Sequence, residues 1–338
     1  MKWYAVMLAL AMACGFCKLE SQELKIARLG DCPLESHEVI KDCQLGYRMF
    51  GSLNESKSNV ILFPMWASGR SEQTVPLAGA GKYLDSSKYC VIVVDALANG
   101  VSSSPSNSRQ QPGMQFPKVT IHDMVVAEHK LMTEVLHFDH VLAVMGQSMG
   151  GMQTFDWIVS YPEFMDKAIP IVGSPKLANY DLILWQAEID AIEADPAWMQ
   201  GRYKENPSPP ADRRIAALTL TTPAFVNGQV HNDDMPQRHT AGGFAMDAND
   251  HIRQAEAMMA MDLSKGSNGS MKDEAKRVKA KVFVIVSKED HTVTPGPALE
   301  FAKLLNAPTL ELDSPCGHLA TTCEMAQMTA AIAEFLEN

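Results

Sequence analysis

The sequence predicts an α/β protein built on a mostly parallel sheet, with helices on both faces and a helical cap inserted between two strands. Five apolar runs support this prediction, because runs that do not alternate with polar residues are typical of strands covered on both faces. A helical pattern at His122–Leu136 lies between two of these runs, and strand, helix, strand at this spacing indicates parallel pairing. The runs occupy residues 59–69, 89–100, 139–148, 167–175 and 281–290.

The regular order of strands stops after Pro175 and resumes at Lys281. The intervening segment contains helical patches and proline-rich breaks but no convincing buried strand. We therefore predict an α/β core formed by residues 26–178 and 277–338, with residues 179–276 inserted as a helical cap. The functional ends of parallel strands are their carboxyl ends, so we expect the cap to cover that edge of the sheet.

The N-terminus has the pattern of a secretory signal peptide. One cation precedes an apolar run from Trp3 to Ala13, and the last three residues of that run fit the small-x-small cleavage rule. We predict that residues 1–13 are removed and that the protein is secreted or periplasmic. A buried first strand or helix is the alternative interpretation, and exposure of Cys14 by cleavage leaves a lipoprotein as a further option.

The third apolar run leads into a lone serine among glycines. Gly146-Gln147-Ser148-Met149-Gly150 matches the G-x-S-x-G nucleophile elbow, a sharp turn between a strand and a helix. Glycines two residues before and after Ser148 remove the Cβ atoms that such a turn would press against neighbouring backbone. The apolar strand before the motif and the helical pattern after it favour Ser148 as a nucleophile over a serine retained for structure.

A nucleophilic serine needs a general base and an acid that orients the base, and on this architecture the acid precedes the histidine along the chain. His318 is the predicted base, since it lies in a Gly-His loop after the last strand-like run. Asp290 is the predicted acid because it ends the preceding run, and Glu289 and Asp313 are the rival carboxylates. The other downstream histidines are His231, His239 and His251 in the predicted cap, and His291 at a strand end.

Backbone amides supply the predicted oxyanion site. The helix that begins at Met149 directs its N-terminal dipole at the serine, so the Met149 N–H is one predicted donor. The second is predicted to be the N–H of Trp66 or Ala67, in the loop after the first run. The neighbours of the predicted nucleophile and base, Gln147 and Leu319, are candidates for contact with substrate.

Composition limits the partners and the disulfides. The formal net charge of −11 argues against nucleic acid and anionic membranes as partners. No cysteine or histidine spacing resembles a zinc site, and no metal or cofactor is predicted.

Cys32/Cys43 and Cys316/Cys323 are close enough in sequence to pair in an oxidising compartment, which would leave Cys90 free. Cys316–Cys323 is the preferred pair because it would brace the loop that carries His318.

Longer stretches resemble the homoserine O-acetyltransferase family of the α/β-hydrolase superfamily. One is similar to that family's Gly-Gly-Ser-Met-Gly-Gly-Met-Gln elbow, one to a stretch before the elbow, and two to its helical lid. These stretches are, in that order, Gly146–Trp157, Phe116–Val125, Asp195–Tyr203 and Phe244–Ser264. The resemblance implies an α/β-hydrolase fold with Ser148, Asp290 and His318 as a catalytic triad.

Three departures from the family pattern bear on function. Gln147 replaces the second glycine of the elbow, and Leu319 replaces the aspartate of a Gly-His-Asp ending. The loop Pro64–Gly69 differs from the family's His-Ala-Leu-Thr-Gly. Together with predicted export, they favour a secreted serine hydrolase that cleaves an ester or related acyl bond of a small molecule. An O-acyltransferase with an acyl-CoA donor is the alternative function, and a non-catalytic binding protein is a third interpretation. The sequence is also compatible with a homodimer.

Overall fold

A nine-stranded, mostly parallel sheet forms the core. In chain order, β1 to β9 are Lys25–Pro33, Val39–Phe50, Val60–Pro64, Cys90–Val94, Val141–Gln147, Met165–Ile171, Lys281–Val282, Val284–Ser287 and Thr309–Leu312. The strand order is β1-β2-β4-β3-β5-β6-β8-β9, and β7 also pairs with β6. β2 pairs antiparallel with both β1 and β4, and the remaining pairs are parallel. The computed structural model describes residues 22–207, 209–229 and 246–338, so the predicted signal peptide and Cys14 lie outside the described residues.

The α/β prediction is confirmed, and each of the five apolar runs contains strand residues. Every residue of β3 and β4 is buried, as expected for strands covered on both faces. Sequence analysis did not predict β1 and β2. These two strands form the antiparallel edge, where polar residues are frequent and register shifts interrupt the pairing. Their sequences therefore show neither an unbroken apolar run nor a regular alternation of apolar and polar residues.

Helices cover both faces of this sheet. The described α-helices, α1 to α10, are Ile121–Lys130, Met149–Ser160, Asn179–Glu193, Pro210–Leu220, Pro223–Gln229, Ala248–Ala260, Met271–Ala275, Gly296–Leu305, Ala320–Cys323 and Met325–Glu337. Phe155 of α2 and Phe301 of α8 belong to the apolar core on one face, and Met328 and Ile332 of α10 to the core on the other. Each such side chain stabilises the fold by about 1.5–3 kcal/mol through burial alone.

Helices and turns occupy the segment between β6 and β7. Within its described part no strand is present, and Lys176 and Asp262 form one isolated bridge near its ends. α3 packs against both α4 and α6. We keep the name cap for residues 179–276. Among the helices in the described ranges, none is both long and apolar enough to span a membrane.

The cysteines divide into one bonded pair and three thiols. Cys316 and Cys323 form a disulfide, the pair preferred from the sequence. Cys32 and Cys43, the other pair close in sequence, are buried but free, so no disulfide joins them. They lie diagonally on β1 and β2, since Cys32 is opposite Ile40 and Cys43 opposite Gly30, and the two thiols share a hydrogen bond instead. Cys90 is also free and buried.

Candidate active site

Ser148 occupies a strained turn between β5 and α2. Its backbone angles, φ 57° and ψ −121°, lie in a region that non-glycine residues rarely adopt. The Ser148 N–H donates a hydrogen bond to the carbonyl oxygen of Ile171 in β6 at 2.8 Å, which ties the turn to the sheet. A strained backbone conformation of this kind persists only where surrounding contacts hold it in place, and it is common at functional sites.

Glycine is required on both sides of this turn. A Cβ on Gly146 would lie 2.3 Å from the carbonyl oxygen of Gly150, and a Cβ on Gly150 would lie 2.2 Å from that of Pro64. Both obstacles are backbone atoms, which cannot move aside as the end of a side chain can. The glycines therefore allow α2 to start directly against the end of β3.

The structure brings Ser148, His318 and Asp290 together in one hydrogen-bonded array. His318 Nε2 lies 2.9 Å from Ser148 Oγ, and His318 Nδ1 lies 2.7 Å from Asp290 Oδ2. An ionised carboxylate only accepts, so Nδ1 carries the hydrogen and Nε2 accepts from the serine hydroxyl. All three side chains are buried, with residue exposures of 7%, 5% and 3% respectively.

The second oxygen of Asp290 is held by the backbone. Its Oδ1 accepts hydrogen bonds from the N–H groups of Thr292 at 2.8 Å and Val293 at 2.9 Å. The same loop is tied to the cap, because Asp181 of α3 accepts from the N–H and the hydroxyl of Thr294. Burial raises the pKa of Asp181, and the charge of Asp290 contributes to that rise.

The rival groups lie elsewhere. Glu289 is exposed, and Asp313 forms a surface ion pair with Lys288 at 2.9 Å. His251 is buried in the cap beside Glu188. His291 is half-buried next to Asp290, and His231 and His239 lie outside the described residues.

The three backbone amides predicted as oxyanion donors are unpaired within the described part of the chain. Considering only the described residues, no acceptor is hydrogen-bonded to the N–H of Met149, Trp66 or Ala67. Their neighbours differ: Met65 N–H donates to Val94, and Ser68 N–H donates to the side chain of Gln254 at 2.7 Å. Because buried backbone donors are normally paired, unpaired ones beside Ser148 are consistent with an oxyanion site.

Sequence reasoning missed two glutamines that hydrogen-bond to the backbone next to these amides. Gln153 of α2 is fully buried and donates from Nε2 to the carbonyl oxygens of Met65 at 3.1 Å and Met149 at 3.3 Å. Gln254 of α6 accepts from Ser68 and donates to the Leu97 carbonyl oxygen at 3.0 Å. For Gln153 the available signal was a lone amide within a mostly apolar helix, whereas Gln254 had no such signal because several other polar residues of α6 are also buried.

The two candidate substrate contacts flank the array. Gln147 is half-buried at the end of β5, directly before Ser148. Leu319 follows His318 and is 38% exposed, a large apolar side chain facing outward. Their contact with substrate stays a prediction.

Among the described residues, the one group that could share a metal ion is Glu188, Asp212 and His251 in the cap, apart from this array.

Comparisons with known proteins concern the fold and the family of the chain. The alpha/beta hydrolase fold family matches residues 69–321. An ethyl acetate hydrolase from Pseudomonas veronii is 32% identical over 336 residues, covering 93% of this chain and 95% of that protein. A homoserine O-acetyltransferase from Methanococcoides burtonii is 29% identical over 354 residues, covering 91% of this chain and 72% of that protein. The solved acetyl esterase MekB aligns with a TM-score of 0.86 and 32% identity, covering 94% and 97% of the two chains. The chain therefore belongs to the α/β-hydrolase fold family, and within it is similar to acetyl esterases and homoserine O-acetyltransferases.

Proposed function

We propose that this protein is a serine esterase that hydrolyses small acyl esters through a covalent acyl-enzyme. The observation that carries the proposal is the buried Ser148–His318–Asp290 array on a strained elbow, beside unpaired backbone amides. A serine, a base and an orienting acid in this geometry are what nucleophilic acyl transfer requires.

In the first half of the reaction, Ser148 Oγ attacks the ester carbonyl while His318 Nε2 takes the hydroxyl proton. The developing oxyanion accepts hydrogen bonds from the N–H groups of Met149 and of Trp66 or Ala67. Removing one such donor from a serine hydrolase typically costs about 3–4 kcal/mol of transition-state stabilisation. The C–O bond to the leaving alcohol then breaks, and the imidazolium gives its proton to that alcohol.

In the second half, water attacks the acyl-enzyme carbonyl and His318 accepts a proton from the water. The tetrahedral intermediate collapses, the bond to Ser148 Oγ breaks, and the proton returns to the serine as the acid leaves. Asp290 orients the imidazole and stabilises the imidazolium through Oδ2, while two backbone N–H groups hold its Oδ1 in place.

A short acyl group is the preferred substrate in this proposal. Support comes from the relatives named for ethyl acetate and acetyl ester hydrolysis, both 32% identical to this chain over most of its length. The similar homoserine O-acetyltransferases support a second candidate, in which an alcohol rather than water resolves the acyl-enzyme. Leu319, in place of that family's carboxylate, and Gln147 beside the nucleophile favour water.

A panel of acyl esters with and without alcohol acceptors tests the proposal. We expect free acid from short acyl esters, no saturable rate gain from homoserine or serine, and fluorophosphonate labelling of Ser148 alone. Ser148→Ala should abolish turnover and labelling while the fold is retained. Full activity of Ser148→Ala would disprove the esterase mechanism, and acceptor-saturable formation of O-acyl product from an acyl-CoA would establish transfer instead.

Export is a separate part of the proposal. It is supported by the N-terminal sequence pattern and by the Cys316–Cys323 disulfide, since disulfides persist mainly in oxidising compartments. N-terminal sequencing of the purified mature protein should recover Cys14 at or near the first position. Recovery of intact Met1 together with free thiols at Cys316 and Cys323 would contradict export.

A further inference from the structure

Three cap helices bring a histidine and two carboxylates together at a buried point outside the Ser148 array. We propose that the cap holds one divalent transition-metal ion, of the zinc type, ligated by Glu188, Asp212 and His251. The ligands come from α3, α4 and α6 respectively, so a bound ion would join three separate helices.

The distances suit a single ion. His251 Nε2 lies 3.1 Å from Glu188 Oε2 and 3.9 Å from Asp212 Oδ1, and one ligand atom from each residue lies within 4.8 Å of the others. Bonds of about 2.0–2.2 Å in a tetrahedral zinc site place neighbouring ligand atoms about 3.3–3.5 Å apart. Small side-chain rotations would therefore bring all three residues to bonding distance.

An oxygen of Asp212 that lacks a hydrogen-bond donor points to a missing ligand. Asp212 Oδ1 is buried and, within the described residues, receives no hydrogen bond, although the residue is only 9% exposed. Arg213 follows it in α4 and contributes a positive charge nearby, but does not bond this oxygen. The His251 ring nitrogen, at 3.9 Å, is too distant to donate a hydrogen bond to this oxygen. A buried carboxylate oxygen without a donor is costly, and coordination to a cation is one of the few ways to satisfy it.

Two of the three residues line a small cavity. Its volume is about 20 Å³, and its walls include Asp212, His251 and Met246 but not Glu188. This is enough for one water molecule or one ion. One imidazole nitrogen, two carboxylate oxygens and one water would complete four-coordination, as in many zinc sites, whereas Ca²⁺ and Mg²⁺ prefer oxygen ligands alone.

The ion would stabilise the helix that supports the predicted oxyanion loop. Gln254, whose side chain holds Ser68 and Leu97, lies three residues after His251 on α6. Fixing α6 to α3 and α4 would restrict the movement of Gln254. This consequence is structural, and the metal itself takes no part in ester cleavage.

The test uses the chelator-treated mature protein and Co²⁺ as a spectroscopic probe. We expect one Co²⁺ per chain, with the visible d–d bands of a four- or five-coordinate ion and no thiolate charge-transfer band. Zn²⁺ should displace the Co²⁺, and the Tm of the Zn²⁺-loaded protein should exceed that of the chelator-treated protein. His251→Gln and Asp212→Asn should each weaken binding about a hundredfold or more, since even residues that only support metal ligands are worth 10- to 100-fold.

Two controls separate this site from others. Glu256→Gln removes a carboxylate from the same helix but outside the cluster, and should leave the spectrum unchanged. His318→Ala should also leave it unchanged, which excludes the Ser148 array as the binding place. If wild-type protein takes up no stoichiometric Co²⁺, or if both cap variants bind as tightly as wild type, the proposal is wrong. The wild-type and His318→Ala titrations decide the question even where a cap variant fails to fold.

Discussion

At the scale of single residues, the orientation of a few polar groups around Ser148 decides what the site can do. His318 can act as a base only in the tautomer with hydrogen on Nδ1, and Asp290 enforces that tautomer. Gln153 holds the Met65–Trp66 peptide at its carbonyl oxygen, so the Trp66 N–H points the opposite way within the peptide plane, where no described residue accepts from it. Asp290 and Gln153 therefore act by positioning, the first on His318 and the second on the Trp66 N–H, and neither is proposed to contact substrate.

Asp290→Asn should lower kcat by about four orders of magnitude while the Tm changes little. An amide can donate to Nδ1 and so favours the wrong tautomer, although the size of the side chain is unchanged. Steady-state kinetics and thermal unfolding provide the comparison. The exposed neighbour change Glu289→Gln is the matched control and should retain wild-type kinetics; a mild effect of Asp290→Asn would argue against its proposed role.

Gln153→Met should lower kcat about ten- to a hundredfold with little change in KM, since it loosens an oxyanion donor without removing it. Affinity for a boronic acid or trifluoromethyl ketone inhibitor should fall in parallel, because these compounds mimic the oxyanion. A purely structural role would lower the Tm and leave inhibitor affinity intact. Gln186→Met serves as control, since that glutamine is exposed on α3 and its side chain bonds to Asp190 of the same helix.

At the scale of elements, two local connections stabilise the parts that carry the site. α1 and α2 are joined by an ion pair between His122 and Asp156 at 3.0 Å, on the helix that starts at the nucleophile. The loop carrying His318 is joined to α9 by the Cys316–Cys323 disulfide. One connection responds to pH and the other to redox conditions.

Stability should fall between about pH 6.5 and pH 9 because of His122. The hydrogen bond with Asp156 outweighs burial and raises the pKa of His122 to about 9. A histidine with a raised folded-state pKa contributes its full stabilisation below the unfolded-state pKa and loses it as pH rises through the folded value. Urea unfolding across this range should show the loss in wild type and a smaller one in His122→Asn. His140→Asn, at an exposed pair with Asp166, should behave as wild type.

Replacing both bridged cysteines by serine should lower the free energy of unfolding by about 2–3 kcal/mol, the chain-entropy value for so short a loop. Turnover should fall as well, because the loop presenting His318 becomes less constrained. Denaturant unfolding of the double variant and of reduced wild type should give the same value. Equal stability of the oxidised and reduced proteins would show that the bridge contributes nothing to this loop.

At the scale of the whole molecule, the cap is fastened to the core by buried polar side chains of α6. Arg253 donates from Nε at 3.0 Å and from Nη2 at 2.8 Å to the Phe116 carbonyl oxygen, and from Nη2 to that of Met114 at 3.0 Å. Asp250 accepts from the N–H and hydroxyl of Ser106. The same helix carries Gln254, which bonds the loop after β3, and His251. Cap docking, the position of that loop and the proposed metal site therefore depend on one element.

Arg253→Met should therefore lower the free energy of unfolding by about 3 kcal/mol, because it leaves buried carbonyl oxygens without donors. Amide hydrogen exchange should increase first in the cap helices. Lys118→Met is the matched control: it also removes a partner of Glu256, but its side chain is 68% exposed, so the loss should be below about 1 kcal/mol. Similar losses in the two variants would mean that Arg253 does not fasten the cap.

Sequence alone determined the features that are contiguous in the chain. Buried parallel strands are unbroken apolar runs, and the elbow requires small residues at fixed spacing around Ser148, so both are visible without a structure. The order of acid and histidine after the serine, together with the strand end at Asp290 and the Gly-His loop at His318, selected these two residues over their rivals. The structure places them and Ser148 within hydrogen-bond distance.

Only the tertiary structure decided what depends on residues distant in sequence. The edge strands β1 and β2 lack a clear period because their burial depends on neighbours rather than on local pattern. Gln153 and Gln254 show their positions only when the loop after β3 is packed between α2 and α6. The cluster of Glu188, Asp212 and His251 has no spacing signal, because its ligands come from three separate helices that meet only through packing.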